Sequence, residues 1–207
     1  MAYFPDLTFY DYSSDNSPET KNIGWLQRGR EFETMAPAEE TLELLWSFCS
    51  ISVMQLRGLH ECNLCTVPRI VHAVRNGVGL LLGSSEIRVF SGERHRSALG
   101  QHLREMESGG LLFLRGSTVP FSIYAAPTLI YHYVRTHHYK PPDEFLHALR
   151  EGPRPPDQEY FEQLKNLRLE WNRTSSPPAN PVRTRFVESN GEWTRVDEPY
   201  PVFLDES

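Results

Sequence analysis

Cysteine is scarce in this chain, with three among 207 residues, and two of the three share one tetrapeptide, Cys62-Asn63-Leu64-Cys65. That usage excludes a disulfide framework and predicts a reducing, cytoplasmic setting. No apolar run approaches the roughly 20 residues that a bilayer span needs. The opening Met1-Ala2-Tyr3-Phe4-Pro5-Asp6 has no basic region ahead of an apolar stretch, so no secretory signal is expected. Clusters of Lys and Arg are missing too, which argues against a nucleic-acid partner, because phosphate binding depends on them. There is no G-x-S-x-G elbow, no H-E-x-x-H and no phosphate loop. Gly77-x-Gly79 precedes a strand candidate, the wrong context for dinucleotide binding. Internal repeats and low-complexity tracts are absent.

What is present is an ordinary globular composition, 39% hydrophobic and 23% charged, in a chain long enough for one substantial core with an appendage. The net charge of −6 is unevenly placed. Residues 1–48 carry nine acidic side chains (Asp6, Asp11, Asp15, Glu19, Glu31, Glu33, Glu39, Glu40, Glu43) against three basic ones (Lys21, Arg28, Arg30). The rest of the chain balances. An acidic end on a neutral body suits a basic protein partner, and equally a solvated surface that aids solubility.

Periodicity and punctuation give the elements. The aromatic opening through Tyr10 is expected to dock as an extended segment, and residues 13–20 as a polar loop. Pro37 and the acids Glu39 and Glu40 open a helix whose inward positions are Leu42, Leu45, Trp46 and Cys49, which makes Cys49 a core residue. Ile51 to Leu56, Val78 to Leu82, Glu86 to Phe90, Leu111 to Leu114 and Phe121 to Tyr124 read as strands. Residues 93–107 read as a helix, and Pro127 opens another that runs to about His137. Pro141-Pro142-Asp143-Glu144 starts the next. A helix over 156–171 and a stiff linker, Ser175 to Pro181, lead to a hairpin around Asn190-Gly191. The expected fold class is α+β: a small sheet with packed helices, a zinc-stapled knuckle and helix, and a C-terminal helix plus β-hairpin. Residues 1–150 form the core domain in this reading and 151–207 a C-terminal extension.

The chemistry centres on the C-x-x-C at Cys62 and Cys65 and the H-x4-H at His132 and His137. Both spacings suit one tetrahedral Cys2His2 zinc site, one ion per chain, with a structural role. Positions five apart lie about 140° apart around a regular helix. The last turn must therefore loosen for both imidazoles to reach one metal, and Pro141 downstream favours that. His60, two residues before Cys62, is the substitute ligand. The rivals are a thiol–disulfide centre and a pair of inert buried thiols. Pro68 followed by Ile70, Val71 and Val74 suggests a helix just after Cys65, the junction a redox motif uses. A redox centre does not require the histidine pair.

Other candidates carry less. His95 and His102 share one face of the 93–107 helix, with Arg94, Arg96 and Arg104 around them marking it as solvated. Glu86 is a possible general base beside an open zinc position, although a strand acid more often pairs with an arginine such as Arg88 or Arg57. His138 and His147 read as surface residues.

Several runs resemble an uncharacterised bacterial family, a domain of unknown function. They are Gly58-Leu59-His60-Glu61-Cys62-Asn63-Leu64-Cys65, Leu82-Gly83-Ser84-Ser85-Glu86-Ile87-Arg88-Val89, Tyr124 to Val134, and His137 to Phe145. Tyr3-Phe4-Pro5-Asp6-Leu7 and Gly24-Trp25-Leu26 extend the likeness over about residues 1–150. The resemblance implies that His60, Cys62, Cys65, His132 and His137 belong to one pattern, and it implies no activity. Residues 91–120 read as expanded relative to the family, and the tail after 150 as particular to this chain.

Function is expected to be that of a non-catalytic protein-binding module, in the form of a bacterial immunity protein that blocks a basic toxin domain. Neither nucleic acid nor membrane is an expected partner. The alternative is a zinc-dependent hydrolase with an open metal position, drawing on His60, Cys62, Cys65 and His132 with Glu86 as base. A thiolate-rich ligand set favours the structural role.

Overall fold

A computed structural model describes residues 3–11, 20–54, 58–91, 122–173, 182–189, 192–199 and 203–204, with side chains through Trp171. The fold is α+β. Outside these residues lie the helix expected over 93–107 with His95 and His102, the strand over 111–114, most of the loop over 13–20, the linker over 175–181, and Arg57.

Helix α1 (Glu39–Cys49) starts with Glu39 and Glu40 in its first turn, where carboxylates answer the positive helix end. Its buried residues include Leu42, Leu45, Phe48 and Cys49. Cys49 is thus a core residue, 1% exposed. Strand β1 (Thr20–Asn22) runs parallel to β6 (Ile123–Pro127), which pairs antiparallel with β5 (Glu86–Phe90). All five residues of β5 and of β6 are buried, so this small sheet lies inside the molecule. Strand β2 (Ile51–Val53) pairs with β7 (Trp171–Arg173). Strand β3 (Val71–Arg75) pairs antiparallel with β4 (Val78–Leu82) and parallel with β10 (Phe203–Leu204). Helices α2 (Ile130–Thr136), α3 (Asp143–Glu151) and α4 (Gln158–Asn166) follow β6, and β8 (Val182–Ser189) pairs with β9 (Glu192–Pro199).

Three expectations about the elements change. The apolar residues after Pro68 form strand β3, not a helix, because Val71 and Ala73 alternate inward against Leu82 and Leu80 of β4. Pro127 ends strand β6 rather than opening α2, which begins three residues later. The helix expected over 156–171 is shorter, since Trp171 already belongs to β7. Residues expected to begin an extension share the main core: Tyr160 and Leu164 are fully buried in it. The Tyr160 ring lies edge-on to Phe48 and Phe90, at 5.4 and 5.7 Å.

Two glycines are required by close approach. A Cβ on Gly152 would collide with the Phe90 and Ala148 carbonyl oxygens. At Gly83 (φ 94°) a Cβ would meet the His60 carbonyl oxygen. There the Gly83 carbonyl also accepts the His60 N–H at 3.0 Å, which fixes the chain entering the knuckle.

The aromatic opening docks as expected: Phe4 bridges Trp25 and Tyr10 is buried, although Phe9 stays 75% exposed. Asp6 clamps it. Its carboxylate accepts the Gly24 N–H at 2.8 Å and the Tyr139 hydroxyl at 2.7 Å. Burial still holds this carboxyl above its ordinary 3.8, against the pull of those two bonds. The ionised form is therefore the less favoured one in the fold. The stability this group contributes is full below pH 3.8 and is lost as pH rises through the raised value. Urea unfolding of Asp6→Asn is expected to lack that loss, so the stability difference shifts toward the variant between acid and neutral pH. A difference that is flat with pH would count against this.

Candidate metal centre

The knuckle is a closed turn. The Cys62 N–H donates to the Arg69 carbonyl at 2.7 Å and the Arg69 N–H returns to the Cys62 carbonyl at 3.3 Å. This one-residue bridge folds Asn63 to Pro68 back on itself and aims both thiols the same way. Arg28 donates from its guanidinium to the Cys65 carbonyl, and to that of Thr66 at 3.3 Å.

Facing the knuckle is the end of α2. His132 lies within the helix, and His137 is the first residue past its end, with φ −100°. That departure from helical geometry answers the 140° difficulty. The His137 N–H still bonds the Tyr133 carbonyl at 3.1 Å. His138 then turns left-handed (φ 56°), and the Tyr139 N–H reaches the same carbonyl at 3.0 Å. The two imidazole rings end 5.0 Å apart and nearly perpendicular.

Four ligand atoms converge: those of Cys62, Cys65, His132 and His137 all lie within 4.8 Å of one another. The Cys62 sulfur is 3.3 Å from His137 Nε2, and the Cys65 sulfur is 3.4 Å from Nε2 of both His132 and His137. Metal–sulfur bonds near 2.3 Å and metal–nitrogen bonds near 2.0 Å in a tetrahedron put adjacent ligand atoms about 3.5 Å apart. The donors fit one small divalent ion. Their electrostatics fit it as well, because burial pushes the Cys62 thiol up to about 12 and a neighbouring Cys65 thiolate adds to that. A cation between the sulfurs reverses both effects. The Tyr133 hydroxyl is buried and has no hydrogen-bond partner among the described residues. Its own ionisation is opposed first by burial, then by the charge of Cys62 and Cys65, which places this O–H in the field of the thiolates. Thr136 Oγ1 sits 3.2 Å from His132 Nδ1. That contact suits a ring whose Nδ1–H donates outward while Nε2 faces the metal.

His60 is not one of the converging four. It stands at the knuckle entrance, tied by its backbone to Gly83, and His137 takes the fourth place. Glu86 lies in another part of the core, 0% exposed. It accepts Arg88 Nη1 at 2.6 Å, and each of its oxygens lies 2.9 Å from the Tyr10 hydroxyl. The Arg88 guanidinium also stacks 4.8 Å from the Tyr10 ring centre. Sequence reasoning named Arg88 as a partner and missed Tyr10, since no local pattern links a residue near the start of the chain to strand β5. It also missed Thr136 and Tyr133, although their places four residues after and one residue after His132 put them beside that ring.

An open cleft of about 540 Å³ borders the centre, lined by Leu64, Cys65, Thr66, Val67, Arg69, Thr136 and His137.

A family model described as a domain of unknown function (DUF7919) matches residues 2–99 and 102–150. The match includes all four converging residues and His60. It runs through 91–120 with only residues 100 and 101 left out, where the sequence alone suggests an expansion, and it ends at residue 150. No curated protein and no solved structure matches the chain.

Two substitution experiments follow from these contacts. In competition with a chromogenic chelator, His137→Ala is expected to weaken affinity for added zinc at least ~100-fold, and His60→Ala by no more than about twofold. The reverse ranking would put His60 in the shell. Glu86→Ala leaves Arg88 buried without its counter-charge and is expected to cost about 3–5 kcal/mol in denaturant unfolding. The double change Glu86→Leu/Arg88→Leu should cost less. A double variant that loses the sum of the two single-variant losses would mean the pair is not coupled.

Proposed function

The chain belongs to this family of unknown function, and on that premise we propose that it is a non-catalytic protein-binding module fastened by one structural zinc ion. The observation that carries the reading is the closed ligand shell of Cys62, Cys65, His132 and His137. Four protein donors fill a tetrahedral ion and leave no position for a water or a substrate oxygen. Two thiolates with two imidazoles select zinc over the hard cations, which prefer oxygen. The ion joins the knuckle to a helix end about seventy residues later, so its binding free energy becomes folding free energy. A reducing, cytoplasmic setting suits the two thiolates.

The hydrolase alternative needs three ligands, an open position and a free base. His60 lies outside the converging set, and Glu86 is committed to Arg88 and Tyr10 within a fully buried strand.

A protein partner is supported by the want of a catalytic set and by apolar side chains left in water, Phe9 at 75% and Val67 at 69% exposure. A basic toxin domain, the partner an immunity protein would neutralise, draws its support from the acidic N-terminal segment. Much of that charge is answered at home. Glu33 pairs with Lys140 at 3.1 Å, Glu39 and Glu43 with Arg75 at 2.5 and 3.1 Å, and Glu40 with Arg150 at 3.9 Å. These exposed pairs add little stability, but they leave less acidic surface for a partner than the sequence count suggests. The knuckle face with Val67 is the better docking candidate.

Plasma mass spectrometry of the purified protein is expected to find one zinc per chain, and none in Cys62→Ser/Cys65→Ser. Chelation should lower Tm by roughly 10 °C or more, the shift that several kcal/mol produce at this chain length. Protein without metal and with both thiols freely reactive would sink the zinc reading and return the redox one.

A further inference from the structure

The centre is unequally sheltered. Cys62 and His132 are each 0% exposed, whereas Cys65 is 9% exposed and His137 only half-buried. Cys65 and His137 both line the open cleft, and neither Cys62 nor His132 does. One edge of the ligand tetrahedron faces solvent and the opposite edge faces the core. The cleft, at about 540 Å³, admits reagents far larger than a water molecule.

Resting on the zinc reading above, we propose that Cys65 is an oxidation site for peroxides, through which the zinc staple is released. The Cys65 sulfur attacks one peroxide oxygen and the O–O bond breaks. A sulfenic acid forms on Cys65, and the other oxygen leaves as water after taking a proton. The Cys62 thiolate then attacks the Cys65 sulfur, the S–O bond breaks, and the departing hydroxide takes a second proton. Two thiolates together lose two electrons, the peroxide gains them, and one disulfide and two waters result. Two imidazoles alone do not retain zinc, so the ion leaves.

The geometry favours this sequence. Both thiols come from one turn already closed by the Cys62–Arg69 bridge, with the ligand atoms within 4.8 Å. The sulfurs, no more than 4.8 Å apart, close to a bond of about 2.05 Å when the disulfide forms. The cationic side chain of Arg69 lines the cleft, and Arg28 reaches the Cys65 carbonyl. Cys49 serves as an internal control: it is 1% exposed and its thiol faces the Thr128 carbonyl at 3.5 Å, away from the cleft. The consequence is mechanical. The disulfide keeps the knuckle turned but no longer ties it to α2, so the fold loses its long-range fastening while each half keeps its local shape.

The full chain, first shown to hold one zinc, is titrated with hydrogen peroxide. Zinc release is followed with a chromogenic chelator, and thiols are mapped by mass spectrometry. One peroxide per zinc released is expected, with a Cys62–Cys65 disulfide, intact Cys49, and zinc binding restored by a dithiol reductant. Limiting iodoacetamide should label Cys65 ahead of Cys62. Val67→Trp, a change at an exposed site that fills the cleft mouth, should slow release about tenfold without altering zinc content, because reactivity follows access. Zinc retained under excess peroxide would overturn the proposal and leave the structural-zinc reading standing. First modification at Cys62 or Cys49, or release at the same rate in Val67→Trp, would overturn it equally. A chain that holds no zinc at the outset fails the earlier reading, and this one falls with it.

Discussion

Two thiols and two imidazoles held within 4.8 Å of one another, three of the four side chains buried, set the condition under which the surrounding structure makes sense. Without a cation, burial disfavours ionisation of the Cys62 thiol and leaves the ring nitrogens with partners of modest strength. With one, the same burial strengthens every metal–ligand interaction, because the surrounding dielectric is low. The local structure is arranged to that end. The Cys62–Arg69 bridge aims the thiols, Gly83 lets the His60 backbone approach, and the left-handed turn at His138 ends α2 where His137 is needed.

The rest of the interior repeats this theme of long-range polar fastening. Tyr10, Glu86 and Arg88 form a buried network, and Asp6 bridges Gly24 and Tyr139. Thr128 accepts the Gly83 N–H and donates to the Ser85 carbonyl. Each joins residues distant in sequence, and each satisfies polar groups that would be costly to bury alone. Hydrophobic contact supplies the bulk of the driving force, through a core shared by α1, β5, α2 and α4. The polar clamps fix register and orientation. They also account for why Glu86, isolated in a strand by its sequence, is an anchor for Arg88.

Much of the fold was legible where local chemistry decides. Glu39 and Glu40 after Pro37 mark the start of α1, and Asp143 and Glu144 after Pro142 mark that of α3. Hydrophobic residues around Asn190-Gly191 mark the pairing of β8 with β9. Reading failed where short apolar runs fit two periods. Ile70, Val71 and Val74 satisfy a helical spacing, yet the alternation of Val71 and Ala73 against β4 won once that strand was beside it. Pro127 suits a helix start in isolation and became a strand end because Glu86 of β5 pairs with it.

The sequence by itself determined the candidate donors, since C-x-x-C and H-x4-H, with His60 as the substitute, offer soft ligands suited to one ion. It also determined the α+β class and the core role of Cys49, both consequences of side-chain periodicity. Tertiary structure alone decided that His137 and not His60 joins the cysteines, because that depends on where α2 ends against the knuckle. It decided that Tyr10 and Arg88 share Glu86, and that Lys140, Arg75 and Arg150 pair with four acids of the N-terminal segment. It also decided that Cys65 faces the cleft while Cys62 faces the core. All of these are contacts between segments far apart in the chain, and spacing along a sequence carries no information about which distant segment will arrive.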